Sequence, residues 1–414
     1  MSEQQAQAQE AGRAVFFAVA AIIISWLAFS LNFADRVTMA TAMKQIMEEM
    51  QLTAVGGGSF TSAWYLGYML ALIPGGMLVD RLGYRRVLLG SFVAIGMGSF
   101  LMANMTTFTQ GLVFRFISGV GAGAVIPCGM RAAFDWFSAK GRGKAVGFFM
   151  TGTNCGLALT NLIVPRMLEN NPWTMPFYMW GSITLTVGVL AFFLLKQKTP
   201  TQVGGKAPVA APEFFKQCAG LLRNWNLMVV AVAGMGFLWG NVGTQTWINR
   251  YMNMQLKIDP VTVGQLVAVY AVTGLVCKFL SGVLIDAVKS RKWLLMGMMA
   301  FYGCVLVWFG ANTIAWMVYI LVPLCGLANA LPSPLLNIIA SESVEPHLRG
   351  TAIGLVTALY QVGSQVAPLA VGYAIDSSGG SYSYVLPTLA FGPFMGAVVA
   401  VLLKSDRLAA SAGK

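Results

Sequence analysis

Five ionisable residues interrupt long apolar runs of this sequence: Asp35, Arg36, Arg115, Arg131 and Lys278. A charged side chain is costly to place inside a bilayer, so residues of this kind usually have a function. Four bases and one acid leave a surplus of positive charge, which attracts an anion and repels a cation. These residues predict a binding site for a small anion, with Asp35 as the carboxyl that exchanges a proton.

Lys278 lies deep in the run VYAVTGLVCKFLSGVL, at least eight residues before Asp286. A lysine near the end of a helix extends its ammonium group to the interface, which is harder from this depth. We expect Lys278 to contact the negative group of a substrate; an internal ion pair and extension to the interface are the alternatives.

More than one role is possible for the arginines inside the apolar runs. Arg36 and Arg115 can each bind a carboxylate through two parallel hydrogen bonds, or can neutralise Asp35. Arg131 lies near the end of its apolar run, and we expect it to be a gate or anchor residue.

The elements that position these residues follow from composition. The chain has 414 residues, of which 57% are hydrophobic and 10% charged, whereas a soluble protein has about 25% charged residues. Apolar runs of about 20 residues cross a bilayer as helices, which satisfy their own backbone hydrogen bonds. We therefore predict an all-α integral membrane protein with twelve spans, at roughly 15–35, 59–79, 87–108, 110–134, 145–165, 175–195, 225–250, 262–285, 293–311, 314–339, 351–372 and 382–403.

The net charge is +12, and the positions of the basic residues agree with the predicted topology. Of the 27 Lys and Arg residues, 19 fall in tails and loops that face the cytoplasm if the N-terminus does, and the outer segments keep Lys44, Arg166, Arg250 and Lys257. This positive-inside distribution predicts cytoplasmic termini and argues against a nucleic-acid partner. The first 14 residues show no cleavage site, which argues against a removed signal peptide. We expect a multi-pass protein of the bacterial cytoplasmic (inner) membrane.

Nothing in the sequence indicates enzyme chemistry. The six cysteines have no paired or metal-type spacing, and His347 is the single histidine. The glycines of GVGAGA (119–124) lie inside an apolar run, where they serve close helix packing. We expect no catalytic set, no metal site and no cofactor.

The two halves of the chain resemble each other. Asp80 and Arg85 recur as Asp286 and Arg291 at an offset of 206, and RGKAVGF (142–148) recurs as RGTAIGL (349–355) at an offset of 207. We predict an N-terminal six-helix bundle at 1–195, a cytoplasmic linker at 196–223 and a C-terminal six-helix bundle at 224–414. Such duplications are common in secondary transporters, whose substrate site lies between the repeats.

The matching charged turns are predicted to gate a conformational change. Gly76 lets a neighbouring helix come close because it has no Cβ, and Asp80 at a helix end can pair with a base and contact the other half. The remaining residues assigned to gating are Arg81, Arg85, Arg86, Arg142, Asp286 and Arg291. The alternative is that Arg81, Arg85 and Arg86 are only positive-inside anchors.

The segment GGMLVDRLGYRR resembles the loop between helices 2 and 3 of the major facilitator superfamily. NFADRVTMATAM (32–43) and the segment 114–148 resemble helices 1 and 4 of its anion:cation symporter family; the matching residues of the second segment are Arg115, Pro127, Trp136, Phe137, Arg142 and Gly147. The resemblance implies two pseudo-symmetric six-helix bundles, transport of organic anions such as sugar acids and dicarboxylates, usually with protons, and a joint role of Asp35 and Arg115 in coupling.

One position departs from that family. Its proton-coupled members often carry a glutamate seven residues after the arginine of helix 4, where this chain has Ala122. We expect a monomeric secondary active transporter of a small organic anion, a carboxylate or sugar acid, that works by alternating access with proton symport. The alternatives are an organophosphate or anion exchanger without proton coupling, and a ligand sensor built on the transporter fold.

Neutral polar residues inside the spans are further candidates for substrate contact: Tyr65, Tyr68, Asn154, Asn241, Gln245, Asn329 and Gln361. Asn154 shares a helix face with Asn161, and Gln361 shares one with Gln365, because residues four or seven apart lie on one side of a helix. The alternative for any one of these amides is a hydrogen bond between helices, and for the tyrosines it is core packing.

Overall fold

The computed structural model describes residues 3–196, 211–288, 290–312, 314–345 and 348–404. Within these ranges it leaves out the side chains of residues 3–12, 14, 139, 140, 211–215, 279, 280, 282, 283, 286, 315 and 350. The predicted role of the Asp286 carboxylate therefore lies outside the described residues, as do residues 197–210 of the predicted linker.

The described chain is all-helical. Its first half forms α1 (Glu3–Glu49), α2 (Ala54–Leu82), α3 (Tyr84–Ala103), α4 (Phe108–Gly123), α5 (Val125–Trp136), α6 (Ala139–Leu168) and α7 (Thr174–Leu194). Its second half forms α8 (Ala211–Leu221), α9 (Trp225–Met254), α10 (Pro260–Ala287), α11 (Arg291–Ala311), α12 (Val318–Ala330), α13 (Pro332–Glu342), α14 (Arg349–Ser377) and α15 (Val385–Ala400). Short 3-10 helices at Ala315–Met317 and Tyr382–Tyr384 precede α12 and α15.

Twelve helical segments of the described chain are long and apolar enough to cross a membrane, which confirms the predicted number. Two of these spans each consist of two consecutive helices, α4 with α5 (Phe108–Trp136) and α12 with α13 (Val318–Glu342).

Several helices are longer than the apolar runs that predicted them. A helix of 47 residues such as α1 is about 70 Å long, well beyond the apolar thickness of about 30 Å. As a result, Lys44 lies within α1 and Arg250 within α9. Both residues were predicted to lie in outer segments.

Three helix starts are fixed by side chains that accept a hydrogen bond from a backbone N–H, as N-caps do. Thr107 caps α4, Asn224 caps α9 and Asp259 caps α10. Asp259 accepts from the Thr262 N–H at 2.8 Å. Hydrogen bonds from the Thr262 side chain and backbone hold the pKa of Asp259 below its ordinary value.

The first of two compact units comprises Met1–Arg36, Gly67–Leu157 and Thr174–Pro208. In it α3 packs against α4 and α7. A Cβ at Gly98 of α3 would collide with the Ser118 side chain of α4. This glycine therefore permits the close approach that helices in a membrane rely on for packing.

The second unit comprises Val37–Leu66, Ala158–Trp173 and Val209–Lys414. Here α9 packs against α14 and α15, α11 against α15, and α10 against α12. The unit also contains the end of α1, the beginning of α2 and the end of α6. These three helices of the first half thus contribute one end each to the second unit.

Candidate functional site

A buried ion pair joins α1 and α4 within the first unit. Arg115 Nη1 lies 3.0 Å from Asp35 Oδ2, and the Ser99 hydroxyl of α3 donates a hydrogen bond to Asp35 Oδ1. All three side chains are at most 1% exposed. Both carboxylate oxygens are therefore engaged, one by a charge and one by a hydroxyl, as a buried carboxylate requires.

The guanidinium of Arg115 is only partly used by this pair. Its Nε and Nη2 atoms are buried and make no hydrogen bond to any described residue. The same holds for Ser118 Oγ, one turn after Arg115, and for Asn32 Oδ1, one turn before Asp35. Unpaired buried polar atoms cost about 1–3 kcal/mol each. The surroundings of the pair can therefore accept further hydrogen-bonding groups.

Arg36 follows Asp35 in α1 but makes a different contact. Its guanidinium lies over the Phe33 ring, 3.8 Å from the ring centroid, in a cation–π arrangement. Of the two arginines proposed to neutralise Asp35, Arg115 makes the ion pair. Asp35, Arg36 and Arg115 together leave one net positive charge in this part of the molecule.

Arg131 does not belong to the surplus of intramembrane charge in which the sequence analysis counted it. Its Nη1 lies 3.6 Å from Asp80 Oδ1 and its Nε lies 2.9 Å from Asp135 Oδ1. Two acids therefore face this one base. Asp80 thus has a basic partner, and that partner lies in α5, within its own half of the chain.

The other charged-turn residues mostly contact backbone carbonyls. Arg85 Nη2 donates to Phe192 O at 2.7 Å, and Arg142 Nε donates to Phe137 O at 3.1 Å. Arg291 donates to Ile285 O and lies 3.6 Å from Glu342. Positive charge near a helix C-terminus is stabilising, so these contacts tie arginines at the beginnings of α3, α6 and α11 to the ends of α7, α5 and α10. Arg81 and Arg86 are exposed.

The role predicted for Gly76 is wrong. A Cβ at Gly76 would meet nothing within 4 Å, whereas a Cβ at Gly75 would lie 3.0 Å from Ala124. Neighbouring positions on a helix point about 100° apart, so one residue decides which glycine faces the adjacent helix. Of these two adjacent glycines, Gly75 is the one at a close helix approach.

In the second unit, the predicted amides of α9 and α12 form one hydrogen-bonded chain with a tyrosine of α10. Gln245 Nε2 donates to Asn241 Oδ1 at 3.0 Å, and Asn241 Nδ2 donates to Asn329 Oδ1 at 2.8 Å. Asn329 Nδ2 donates to the Tyr270 hydroxyl at 2.6 Å. A Cβ at Gly326 would lie 2.5 Å from the Tyr270 carbonyl oxygen. Glycine here therefore lets α12 approach α10.

Lys278 lies in α10, nine residues before the helix ends at Ala287. Its side chain is exposed, while the neighbouring Cys277 is buried. The other predicted polar residues are at least partly buried. Asn154 Oδ1 accepts from Thr153 at 3.1 Å, and Gln361 Oε1 accepts from Ser364 at 3.1 Å.

The predicted residues thus divide between the two units. Asp35, Arg36, Arg115, Tyr68 and Asn154 belong to the first unit, whereas Lys278, Tyr65, Asn241, Gln245, Asn329 and Gln361 belong to the second. Tyr65 and Tyr68 are buried, at 4% and 8% exposure.

A close contact between α2 and α14 in the second unit was not anticipated from the sequence. Asp376 of α14 accepts hydrogen bonds from the backbone N–H groups of Ala54 and Val55, and Ser62 Oγ donates to Gln365 O at 2.6 Å. A Cβ at Gly372 would lie 2.7 Å from Ala54 O. We call this contact, formed by residues 54–62 and 365–376, the α2–α14 seam. Small residues at every fourth position of α2, namely Ala54, Gly58 and Ser62, are the signal that would have indicated it.

Arg250 is a second residue whose role was missed. It is 9% exposed within α9, and its Nε donates to the Tyr382 hydroxyl. Its Nη1 is buried without a hydrogen-bond partner among the described residues. A buried guanidinium here tethers the end of α9 to the beginning of the last span.

Comparisons with known proteins identify relatives and the family of the chain. The chain is 25% identical over 398 residues to the cis,cis-muconate transport protein of Acinetobacter baylyi, covering 94% of each chain. It is 24% identical to the D-galactonate transporter of Escherichia coli, covering 93% of this chain and 95% of that protein.

A solved structure of a mutant of the nucleoside transporter NupG has the same fold, with a TM-score of 0.78 at 12% identity, over 94% of this chain and all of that one. The family model of the Major Facilitator Superfamily matches residues 25–368 and 246–412. The chain therefore belongs to the Major Facilitator Superfamily, and it is a multi-pass membrane transporter related to carriers of organic acids and not an enzyme.

Proposed function

We propose that this protein is a secondary active transporter of a small organic anion, a carboxylate or sugar acid, that works by alternating access with proton symport. The observation that carries the proposal is the buried Asp35–Arg115 pair, whose guanidinium keeps Nε and Nη2 without a partner among the described residues. The Nε–Nη2 edge of a guanidinium presents two parallel N–H donors, the arrangement that matches a carboxylate.

The charge balance supports an anionic substrate. With Arg131 paired to two acids, the intramembrane residues Asp35, Arg36, Arg115 and Lys278 still leave two net positive charges. Such a surplus favours anions over cations. The relatives named above carry muconate and galactonate, which are both carboxylates, and this supports the same substrate class here.

Proton coupling is expected because Arg115 would be shared between Asp35 and the substrate carboxylate. A substrate carboxylate bound at the Nε–Nη2 edge adds a second negative charge beside the guanidinium that neutralises Asp35. Like charges in one site disfavour ionisation of both groups. Asp35 then takes up a proton from the side of entry, and releases it on the other side once the substrate has left.

An anion exchanger without proton coupling is the second candidate, and Ala122 is the observation that favours it. Ala122 is fully buried in α4 and occupies the position of the carboxyl found in proton-coupled relatives of the anion:cation symporter family. An exchanger returns with a bound anion, so its cycle needs no net uptake or release of a proton by Asp35.

Transport into proteoliposomes distinguishes these possibilities. Galactonate and muconate are the first labelled substrates, assayed both under an imposed pH gradient and as exchange against the same anion inside. We expect the parent to accumulate substrate with the gradient. Asp35→Asn should lose that accumulation and retain exchange, while Lys257→Gln, which changes an exposed charge away from the pair, should behave as the parent.

Two results would contradict the proposal. Accumulation by Asp35→Asn with unchanged pH dependence would place coupling elsewhere. A parent that exchanges anions but never accumulates them would establish the exchanger.

We also propose that both termini face the cytoplasm, that the protein resides in the bacterial cytoplasmic membrane and that it works as a monomer. The positive-inside distribution of Lys and Arg supports the orientation. The internal duplication supports a division into bundles 1–195 and 224–414, joined by the linker 196–223.

A further inference from the structure

Helices α1 and α7 of the first unit enclose an apolar groove of about 270 Å³. Its lining residues recur at intervals of three and four along each helix, so each helix contributes one continuous stripe. They are Phe16, Val19, Ala20, Ile23, Ile24 and Leu27 of α1, with Val187, Leu190 and Leu194 of α7. The groove is open to the outside of the protein, since Phe16 is 57% and Leu190 52% exposed.

The dimensions of the groove suit a hydrocarbon chain. The α1 stripe spans twelve residues, from Phe16 to Leu27, which corresponds to about 16 Å of helix. Transmembrane helices that pack together carry small residues at the contact, whereas this groove is lined mostly by bulky aliphatic side chains. A flexible lipid chain follows such a surface better than another helix does.

Basic residues lie at one end of the groove. Lys196 follows Leu194 by two residues, and its ammonium nitrogen lies 4.3 Å from the centroid of the Phe17 ring. Arg13 is exposed and lies one helical turn before Phe16.

The position and the pairing of these cations indicate what they bind. The Tyr84 hydroxyl donates to the Lys196 carbonyl, which ties the end of α7 to the beginning of α3. Neither Lys196 nor Arg13 is in an ion pair with a described residue. All lining residues of the groove are apolar. An apolar groove with a cationic end is complementary to a molecule that has one long acyl chain beside a negative headgroup.

We propose that this groove binds an anionic phospholipid, with an acyl chain between α1 and α7 and the headgroup phosphate at Lys196 and Arg13. This site is distinct from the Asp35–Arg115 cluster and does not depend on the transported substrate. The lipid fills a cleft that side chains leave open, so it stabilises the packing of α1 against α7.

Native mass spectrometry of the purified full-length protein tests the proposal with two probes of identical acyl chains, phosphatidylglycerol and phosphatidylcholine. We expect one tightly retained phosphatidylglycerol. Lys196→Gln should weaken its retention about fivefold, the effect of one basic residue at an anionic membrane surface. Ala20→Trp, which fills the groove, should abolish tight retention of either lipid.

Lys292→Gln is the matched control, because Lys292 also lies over an aromatic ring, that of Trp293 at 5.5 Å, but away from the groove. It should retain phosphatidylglycerol as the parent does. Glycerol phosphate without acyl chains should fail to compete, since the groove contributes most of the contact.

Equal retention of the two lipids by the parent would overturn the proposal. So would parental retention in both Lys196→Gln and Ala20→Trp, or full competition by glycerol phosphate. If Ala20→Trp does not fold, the double variant Arg13→Gln with Lys196→Gln provides the test. Both residues are exposed, so the double variant should still fold. Unchanged selectivity in that double variant would then refute the site.

Discussion

The Asp376 carboxylate of α14 caps the first turn of α2, with Oδ1 2.8 Å from the backbone N–H nitrogen of Ala54 and Oδ2 2.9 Å from that of Val55. The first N–H groups of a helix lack intrahelical acceptors, and a negative charge near them is favoured by the helix dipole. Residues more than 300 positions apart therefore close the α2–α14 seam. The seam therefore joins α2 of the first half of the chain to α14 of the second half.

We expect Asp376→Ala to loosen the α2–α14 seam. Loss of a helix cap costs about 0.5–2 kcal/mol, and the exposure of Asp376 places this case at the lower end. A cysteine at Ser62, which contacts Gln365 in the seam, should then react several-fold faster with a water-soluble maleimide. Asp259→Ala removes a cap within a single helix and should leave the rate unchanged. Equal rates in the parent and Asp376→Ala would show that the carboxylate does not hold the seam.

Lys278 is expected to contact the negative group of the substrate. Lys278→Ala should lose about 1.5–3 kcal/mol of anion binding, the range for a hydrogen bond to a charged group. Lys278→Arg should regain only part of it, because a guanidinium presents its donors differently. Isothermal titration with the transported anion and with an uncharged analogue measures the effect. Parental anion affinity in Lys278→Ala would leave Arg36 and Arg115 as the binding charges.

Asp80→Asn should slow turnover more than it weakens substrate binding. Asp80 lies 3.6 Å from Arg131 and is half exposed, outside the cluster around Asp35. Loss of the Asp80 carboxylate therefore removes the ion pair with Arg131 in the charged turn and leaves the residues around Asp35 unchanged. Transport rates in proteoliposomes, compared with affinities from titration, separate the two effects. Weakened binding with normal turnover would assign Asp80 to the substrate site.

Tyr270→Phe should weaken the amide chain of the second unit. The Tyr270 hydroxyl accepts a hydrogen bond from Asn329 Nδ2 at 2.6 Å, and its removal leaves a donor of a buried residue without that acceptor, at a cost of about 1–3 kcal/mol. Thermal unfolding in detergent should show a lower midpoint. Tyr319→Phe changes an exposed tyrosine and should not. An unchanged midpoint in Tyr270→Phe would mean that Asn329 finds another acceptor.

The orientation is tested by labelling from the two sides of the membrane. A cysteine replacing exposed Lys257, between α9 and α10, should react with an impermeant maleimide added outside intact cells. One replacing exposed Lys216 in α8 should react only after permeabilisation. The positive-inside rule is the reason for this expectation, and the opposite pattern would invert the topology.

The spans were predictable because a bilayer imposes both the length and the apolar character of its helices. The Asp35–Arg115 pair was anticipated from residue types, since a buried acid needs a nearby base, and the structure shows which of two arginines makes the contact. The choice between Gly75 and Gly76 depends on helix rotation, which an apolar run does not specify.

Other features depend on contacts that sequence patterns do not reveal. Asp376 appears in the sequence as an ordinary acid at the end of a helix, and its partners lie more than 300 residues away. From the sequence, Arg131 was counted with the surplus of intramembrane positive charge, whereas the structure places Asp80 and Asp135 beside it. The sequence pattern shows where charged residues lie along the chain, whereas tertiary packing determines which of them come into contact.

The separation of Asp35 and Arg115 by 80 residues also bears on how the protein is made. Chains emerge from the ribosome from the N-terminus, so α1 reaches the membrane before α4 has been synthesised. During that interval Asp35 has no counter-charge from Arg115, and a lone carboxylate disfavours insertion. An unpaired Asp35 therefore reduces the free energy that favours insertion of α1 until α4 arrives. We expect loss of Arg115 to lower the amount of protein that reaches the membrane.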